Sequence, residues 1–419
     1  MTEEIKQRIE QIRHGIVPEG YKRSAVGVIP EEWKIHSVGD HLTESYISGS
    51  TGDLAKKITV KLWNKGVVEK REIHTGSENT QYYKRKKGQF IYSKLDFLNC
   101  AFGIIPEALD EYESTLDLPA FDIDGIDPYY LLSQVIQRRF YEHWGIMVAN
   151  GGRKARRISP EDFLSFPIAF PCLEEQNRIT DILTAQDKTI ELKEKLLAEK
   201  QSQKKYLMQQ LLTGKKRLPG FDGEWRNVKL NEVLVERKEK NANQDHRICS
   251  VAVQKGVVDQ IEHLGRSYAA ADTSNYGVAH YGDIIYTKSP TGDFPYGIIK
   301  QSQMNEEVAV SPLYGIYEPV CYEMGYLLHT YFSYAANCSN YLLPIIQKGA
   351  KNTINITNDV FVSNKLYLPM EQGEQKALAE IFITADSEIE LLRQSIEQEK
   401  QKKKALMQLL LTGIVRVNA

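Results

Sequence analysis

The chain has 419 residues, more than a typical single domain, and its 42% hydrophobic and 26% charged residues are typical of a globular protein and exclude a disordered or fibrous one. The formal net charge of -2 gives no overall sign of a nucleic-acid-binding protein, so local basic clusters must carry any such interpretation. The five cysteines lie far apart without the spacing of a zinc site, and we expect them to be reduced and no metal to be bound.

The first residues predict a short amphipathic helix rather than a targeting segment. Residues 3–14 place apolar side chains at helical spacing, and they contain no apolar signal-peptide core. No apolar run in the chain approaches the length of a membrane span. We therefore expect a cytoplasmic protein without membrane contacts, whose N-terminal helix can pack beside the end of the C-terminal helix.

The rest of the sequence consists of two similar units. Residues 175–214 align without gaps on residues 374–413, and 16 of these 40 pairs are identical. The similarity continues upstream as an ordered series of short matches, such as EEWKIHSVGDHL with GEWRNVKLNEVL and KKGQFIYSKL with HYGDIIYTKS. Such a repeat predicts two similar structural units. The predicted division is an N-terminal helix, a globular domain, a long helix, a second globular domain, a second long helix and a tail, over residues 1–16, 17–172, 173–214, 215–370, 371–413 and 414–419.

Each globular domain mixes two kinds of periodicity. QFIYSKL, DIIYTKS and KLYLP are typical of strands, whereas PYYLLSQVIQRRFYEHW is typical of a helix. We predict a mixed α/β fold for both domains.

Basic segments of the globular domains are candidate DNA contacts. Lysine and arginine bind phosphates, and an asparagine amide can read adenine. The alternative, that these are solvated charged loops, stays open for each segment. The predicted DNA-binding residues are Lys84, Arg85, Lys86, Lys87, Lys94, Arg153, Lys154, Arg156 and Arg157 in the first domain, and Lys288, Lys348, Lys351 and Asn352 in the second.

The two long helices have coiled-coil periodicity. Neither contains Gly or Pro within residues 173–213 or 374–412, and both are rich in good helix formers. Each should be roughly 60 Å long. Apolar residues recur every seventh position, with Lys204 and Lys403 interrupting both series at the same place. The predicted interface residues are Leu183, Ile190, Leu197, Leu211, Phe382, Ile389, Ile396 and Leu410.

We expect the two helices to form an intramolecular antiparallel coiled coil that relates the two domains by a pseudo-two-fold axis. A helix of this length cannot be covered by its own small domain, and its twin is the nearest partner. The alternative is that each helix packs only on its own domain.

Familiar catalytic signatures are missing from the sequence. We find no GxxxxGK followed by Ser or Thr, no GxGxxG after a strand, no HExxH and no GxSxG. Asp127-Pro128-Tyr129-Tyr130 only half resembles the motif of amino-methyltransferases. We expect no catalytic residues in this chain.

The whole chain resembles the specificity subunits of type I restriction-modification systems. The signs are the two-fold repeat, the Glu-Gln helix starts after Pro171 and Pro369, the helix ends MQQLLTG and MQLLLTG, and the openings IPEEW and LPGFDGEW. The resemblance implies two target recognition domains that each read one half of a bipartite double-stranded DNA site, with the helices setting the spacer.

The resemblance also implies protein partners. Two modification subunits would bring S-adenosylmethionine, and restriction subunits would bring ATP and Mg, so none of these cofactors should bind this chain. The alternatives from the residues alone are a non-catalytic coiled-coil scaffold that binds only proteins and an enzyme with an unfamiliar site.

Overall fold

The computed structural model describes residues 2–71, 76–148, 156–348 and 354–417. The chain divides into two compact units. Unit 1 contains Met1–Leu192 and Ile396–Ala419, and unit 2 contains Lys193–Ser395. Each unit therefore contains one globular domain and part of each long helix, and both chain ends belong to unit 1.

Unit 1 alternates short strands with helices. Its helices are α1 (Glu3–Arg13), α2 (Pro128–Val135), α3 (Arg138–Val148), α4 (Pro160–Leu164) and the start of α5 (Leu173–Leu211). Its strands are β1 (Tyr21–Ser24), β2 (Gly27–Pro30), β3 (Lys34–Ser37), β4 (Leu42–Glu44), β5 (Ser48–Thr51), β6 (Ile58–Val60), β7 (Val67–Glu69), β8 (Gln81–Lys84), β9 (Phe90–Tyr92), β10 (Phe102–Ile104), β11 (Glu113–Ser114), β12 (Ala120–Ile123) and β13 (Pro167–Phe170).

The centre of unit 1 is an antiparallel sheet with the order β10-β9-β12-β4. Aromatic side chains fill one face of this sheet: the rings of Phe90 and Phe163 stack at 5.4 Å, and those of Tyr92 and Phe121 stack at 5.9 Å. All four side chains are fully buried. A separate small sheet has the order β11-β8-β5, and β6 and β7 form a hairpin.

Unit 2 has a similar alternation. Its helices are α6 (Gln260–Leu264), α7 (Tyr322–Phe332), α8 (Ala335–Leu342), α9 (Asn358–Phe361) and most of α10 (Gln372–Leu410). Its strands are β14 (Trp225–Lys229), β15 (Leu234–Glu236), β16 (Arg247–Ala252), β17 (Gly256–Asp259), β18 (Gly277–Ala279), β19 (Ile284–Tyr286), β20 (Ile299–Gln301), β21 (Val308–Val310), β22 (Gly315–Pro319), β23 (Gln347–Lys348), β24 (Ile354–Asn355) and β25 (Lys365–Pro369).

The central sheet of unit 2 repeats that of unit 1. Its order is β20-β19-β22-β15, so in both sheets the strands lie third, second, fourth and first as they occur along the chain. Phe361 stacks on Tyr286 at 4.6 Å, as Phe163 stacks on Phe90. The second sheets differ, because unit 2 has the order β17-β16-β21-β18 with a parallel pair, β16 and β21. The mixed α/β prediction is confirmed, and within the globular domains the central sheets have the same strand order.

The Glu-Gln pair that begins each long helix is buried, and its side chains form hydrogen bonds. In unit 1, Glu175 accepts hydrogen bonds from Trp33 Nε1 at 3.3 Å and Arg416 Nε at 2.8 Å, and Gln176 donates to Pro171 O at 3.0 Å. Removing these polar groups from water would be costly without such partners. The pair therefore anchors the helix start to its globular domain.

The same anchor is built in unit 2. Glu374 accepts from Trp225 Nε1 at 2.8 Å and Arg217 Nε at 2.7 Å, and Gln375 donates to Pro369 O at 2.9 Å. The hydrogen bonds raise the pKa of Arg217 and of Arg416. In unit 2 the anchor joins residues that are continuous in the chain, whereas in unit 1 Trp33 and Arg416 come from opposite chain ends.

Both long helices end at a glycine that the fold requires. Gly214 and Gly413 have φ of 67° and 70°, in the left-handed region that favours glycine at a helix C-terminus. A Cβ on Gly413 would lie 2.5 Å from Pro30. The shared TG ending thus follows the end of the helix and leaves room for Pro30 beside Gly413 and for Tyr367 beside Gly214.

The N-terminal helix packs as the sequence indicated. Arg8 Nη1 donates to Ile414 O at 2.6 Å, and the Tyr21 hydroxyl donates to Gly413 O at 2.8 Å. The first residues of the chain therefore contact the segment that follows α10. In the described part of the chain, no helix is both long and apolar enough to cross a membrane.

Candidate nucleic-acid interface

Arg85, in the first basic segment, is a structural residue and not a surface contact. Its side chain is fully buried. It donates to Ser45 O and Ser114 Oγ at 2.8 Å each and to Leu118 O at 3.3 Å, and burial lowers its pKa to about 10. The prediction that Arg85 contacts phosphate is therefore wrong. Its guanidinium group instead forms hydrogen bonds that connect separate segments of unit 1.

The three lysines around Arg85 reach the surface but have acidic partners. Lys84 Nζ lies 3.1 Å from Glu111, Lys86 pairs with the same carboxylate, and Lys87 Nζ lies 2.6 Å from Glu107. These exposed ion pairs contribute little to stability, so DNA phosphates could compete for the lysines. The sequence did not indicate either glutamate, because Glu107 lies 20 residues after Lys87 and Glu111 lies 25 residues after Lys86.

Lys94 and Arg157 are brought together at the other end of strand β9. Lys94 lies just beyond the strand, where its amide donates to Asp117 O at 3.0 Å and its carbonyl accepts from Ile158 N at 3.1 Å. The side chain of Arg157 lies 3.2 Å from the Asp117 carboxylate. Arg156 is exposed, and Arg153 and Lys154 lie outside the described residues. Residues 84–87 therefore lie at one end of β9, and Lys94 and Arg157 lie at the other end.

In unit 2, Lys288 occupies the position that corresponds to Lys94. It follows β19 with φ of 59°, a left-handed conformation that is uncommon for a non-glycine residue. Its side chain is half-buried, and burial lowers its pKa. The backbone of Lys348 pairs with Ile354 in a hairpin, while Lys351 and Asn352 lie outside the described residues.

Unit 1 has aromatic side chains beside Arg85 and on its surface. Tyr46 and Tyr83 form an edge-to-face pair at 6.2 Å, and the buried Arg85 lies 5.7 Å from the Tyr83 ring. Hydrogen bonding to Glu44 raises the pKa of Tyr46 to about 12. Trp63 is 56% exposed at the tip of the β6–β7 hairpin.

The heptad positions of the long helices are buried, with Leu197 only partly so. Leu183 and Leu410 belong to the core of unit 1, and Leu211 and Phe382 to a shared cluster in unit 2. The other buried positions are Ile190, Ile389 and Ile396.

The two lysines that interrupt the heptads form ion pairs at corresponding positions. In unit 2, Lys204 pairs with Asp386, and Lys200 Nζ lies 2.7 Å from Glu388. In unit 1, Lys403 Nζ lies 2.6 Å from Asp187. Each interrupting lysine thus has a carboxylate on the other long helix.

Asp127, at the start of the motif that half resembles an amino-methyltransferase, caps a helix. Its Oδ1 accepts from Tyr130 N and from Thr180 Oγ1, both at 2.7 Å. This is the usual role of an aspartate before a proline at a helix start. The Asp-Pro pair is explained by the start of α2.

Part of the chain matches the sequence model of a known protein family. Residues 122–200, from β12 through α2, α3, α4 and β13 into α5, match the model of the type I restriction modification DNA specificity domain. This segment of the chain is therefore similar to a type I restriction modification DNA specificity domain. The resemblance that the sequence suggested is thereby confirmed, and the specificity domain includes the buried Glu175-Gln176 anchor.

The chain is also similar to solved structures from type I restriction-modification systems. The type I restriction-modification S subunit from M. genitalium is 12% identical with a TM-score of 0.55, and the alignment covers 90% of this chain and 96% of that one. A chain from a structure on complex assembly and conformational transition of the type I R-M system is 15% identical, with a TM-score of 0.51 and coverages of 92% and 99%. The HsdS subunit from Thermoanaerobacter tengcongensis is 17% identical, with a TM-score of 0.48 and coverages of 92% and 98%.

Proposed function

We propose that this chain is the DNA sequence-specificity subunit of a type I restriction-modification complex, with no catalytic site of its own. The observation that carries the proposal is the match of residues 122–200 to the specificity domain, in a chain whose two units each contain a central sheet of the same strand order. Each globular domain reads one half of a bipartite double-stranded DNA target.

Besides its central sheet, each unit has a second sheet, and these second sheets differ. This difference supports the proposal that the two domains recognise unlike half-sites. The β11-β8-β5 sheet of unit 1 and the β17-β16-β21-β18 sheet of unit 2 have different strand numbers and directions. Specificity comes from the few side chains that reach base edges, whereas phosphate contacts only position the protein. We therefore expect the two domains to differ outside their similar central sheets. Differences there leave the anchor of each long helix intact.

The helix contacts within each unit support an antiparallel pairing of α5 and α10. In unit 2, Lys193, Lys200 and Lys204 contact Ser395, Glu388 and Asp386, so the partner numbers fall as the α5 numbers rise. In unit 1, Gln186 donates to Glu399 at 2.7 Å. We propose that this coiled coil sets the spacer between the half-sites and docks two modification subunits, and that restriction subunits join them.

Methylation mapping tests the proposal directly. The chain is co-expressed with the modification subunit encoded beside it, which would bring S-adenosylmethionine, and methylated adenines are mapped across a genome. We expect methylation at one split motif. A complex that forms without any motif-specific methylation, or no complex at all, would instead favour a protein scaffold.

A domain exchange provides the matched control. Replacing residues 215–370 with the corresponding domain of another specificity subunit should change one half of the motif and leave the other half and the spacer unchanged. In parallel, DNA binding by the complex should weaken steeply as salt increases, because phosphate contacts release counterions. The proposal that each domain reads one half-site would be contradicted if the exchange left the motif unchanged and salt left DNA binding unchanged.

A further inference from the structure

Four side chains from separate segments of unit 2 converge at one end of the β17-β16-β21-β18 sheet. His246 directly precedes β16, Glu307 directly precedes β21, and His280 directly follows β18. Since β16 and β21 are parallel and β18 is antiparallel to β21, these three residues lie at the same end of neighbouring strands. Glu239 joins them because its carbonyl accepts from Val278 N at 3.1 Å.

The carboxylates lie against the imidazole nitrogens. Glu239 Oε2 is 2.8 Å from His280 Nε2, and Glu307 Oε1 is 3.7 Å from His280 Nδ1. One ligand atom from each of these three residues lies within 4.8 Å of the other two. Zinc bonds of about 2.0–2.2 Å in a tetrahedral site place ligand atoms about 3.4 Å apart. Small side-chain rotations would therefore complete such a site.

The charge and exposure of the cluster suit a cation from solvent. In the described part of the chain, the ion pairs of Glu239 and Glu307 are with histidines only. The side chains of Glu239, His280 and Glu307 are 44%, 30% and 52% exposed, so an ion can reach them. With neutral imidazoles the two carboxylates carry two negative charges, which a divalent cation would neutralise.

A second layer orients one of the carboxylates. His246 Nε2 lies 3.3 Å from Glu307 Oε2, and its Nδ1 lies 2.9 Å from Asn241 Oδ1. Asn241 is fully buried and donates to Thr273 at 3.3 Å, so it is a fixed support. Metal ligands in proteins are commonly held in this way by outer hydrogen bonds.

We propose that Glu239, His280 and Glu307 bind a divalent transition-metal ion of the zinc class, with water as the fourth ligand and His246 as a positioning residue for Glu307. Imidazole with carboxylates favours such an ion, whereas magnesium and calcium favour oxygen ligands alone. The ion would join the loop after β15 to the end of the β16-β21-β18 strands. This site is independent of the proposed DNA function.

Metal binding to the full chain, purified without a polyhistidine tag and treated with a chelator, tests the site. We expect calorimetry with Zn²⁺ to show one ion per chain, because only this group satisfies the ligand geometry among the described residues. Binding should be lost in His280→Ala and in Glu307→Gln, and His246→Gln should weaken it by about 10- to 100-fold. Co²⁺ should give visible absorption bands that disappear in His280→Ala.

Glu306→Gln is the matched control, because Glu306 is the neighbour of Glu307 and instead pairs with Arg247 at 3.1 Å. It should bind Zn²⁺ as the unaltered chain does. If His280→Ala does not fold, Glu239→Gln replaces it, since that side chain is more exposed. Absence of stoichiometric Zn²⁺ binding, or binding that the ligand substitutions leave unchanged, would overturn the proposal.

Discussion

Removing the Arg416 guanidinium should destabilise unit 1 in a measurable way. The Glu175 carboxylate is 3% exposed, and Arg416 Nε and Nη2 lie 2.8 and 2.9 Å from its two oxygens. In Arg416→Ala, Trp33 is the one described residue that still donates a hydrogen bond to the buried carboxylate, at 3.3 Å. Removing one partner of a buried pair costs about 3–5 kcal/mol. Because Arg416 is 31% exposed and water can enter its place, we expect about 2–3 kcal/mol of lost unfolding free energy.

Urea unfolding, followed by circular dichroism and tryptophan fluorescence, measures this loss. A double-mutant cycle with Glu175→Gln isolates the interaction. The neutral amide does not require a cation, so Arg416→Ala should cost less than about 1 kcal/mol in that background. Arg13→Ala removes an exposed arginine of α1, in the same unit, and is the matched control, for which we expect no clear change.

Equal costs of Arg416→Ala in the two backgrounds would refute the reasoning, since the loss would then not depend on the Glu175 charge. A change within about 0.5 kcal/mol of the unaltered chain, the range of ordinary surface substitutions, would refute it as well. Arg217→Ala should destabilise unit 2 in the same direction, because Arg217 holds Glu374 in the corresponding anchor.

Three further sets of substitutions test other parts of the structure. Arg85→Met should lower the unfolding free energy in urea by about 2–4 kcal/mol by leaving buried acceptors unpaired, whereas Lys87→Ala should leave it nearly unchanged and weaken DNA binding at low salt; the reverse pattern would contradict the buried role of Arg85. Burial lowers the pKa of Lys300 to about 8, so the unfolded chain, with a pKa of about 10.4, binds more protons between these values. Stability should therefore rise with pH from about 8 to about 10, and Lys300→Met should flatten this rise and stabilise the protein at pH 7; an unchanged pH profile would contradict it. Lys204→Asp should lower the melting temperature and Asp386→Lys should restore it, and failure of the restoration would show that this ion pair does not set the helix register.

The repeat and the helices could be predicted because their signals are local or periodic. Helix formation over Leu173–Leu211, and from Glu374 onward in Gln372–Leu410, follows from helix formers without an intervening Gly or Pro, and the buried heptad positions follow from a seven-residue period. The Glu-Gln starts and TG ends were visible as repeated motifs. Their physical reasons, a buried carboxylate anchor and a left-handed glycine, required the structure.

The basic segments show where a local signal misleads. A run of four cations at 84–87 predicts a positive surface only if nothing distant in sequence faces it. The fold places Glu107 and Glu111 against the lysines and buries Arg85 among backbone carbonyls. Charge is a property of the folded surface, so composition within one segment could not decide it.

By itself, the sequence determined the two similar units, their mixed α/β class, the long helices and the resemblance to specificity subunits. Only the tertiary structure decided which lysines have acidic partners, including the carboxylates that pair with Lys204 and Lys403. It also brought Glu239, His280 and Glu307 close together. The metal candidates lie 41 and 27 residues apart, so no spacing rule detects them. Strand pairing brings them together, and pairing depends on contacts between distant residues that a single sequence does not encode as a local pattern.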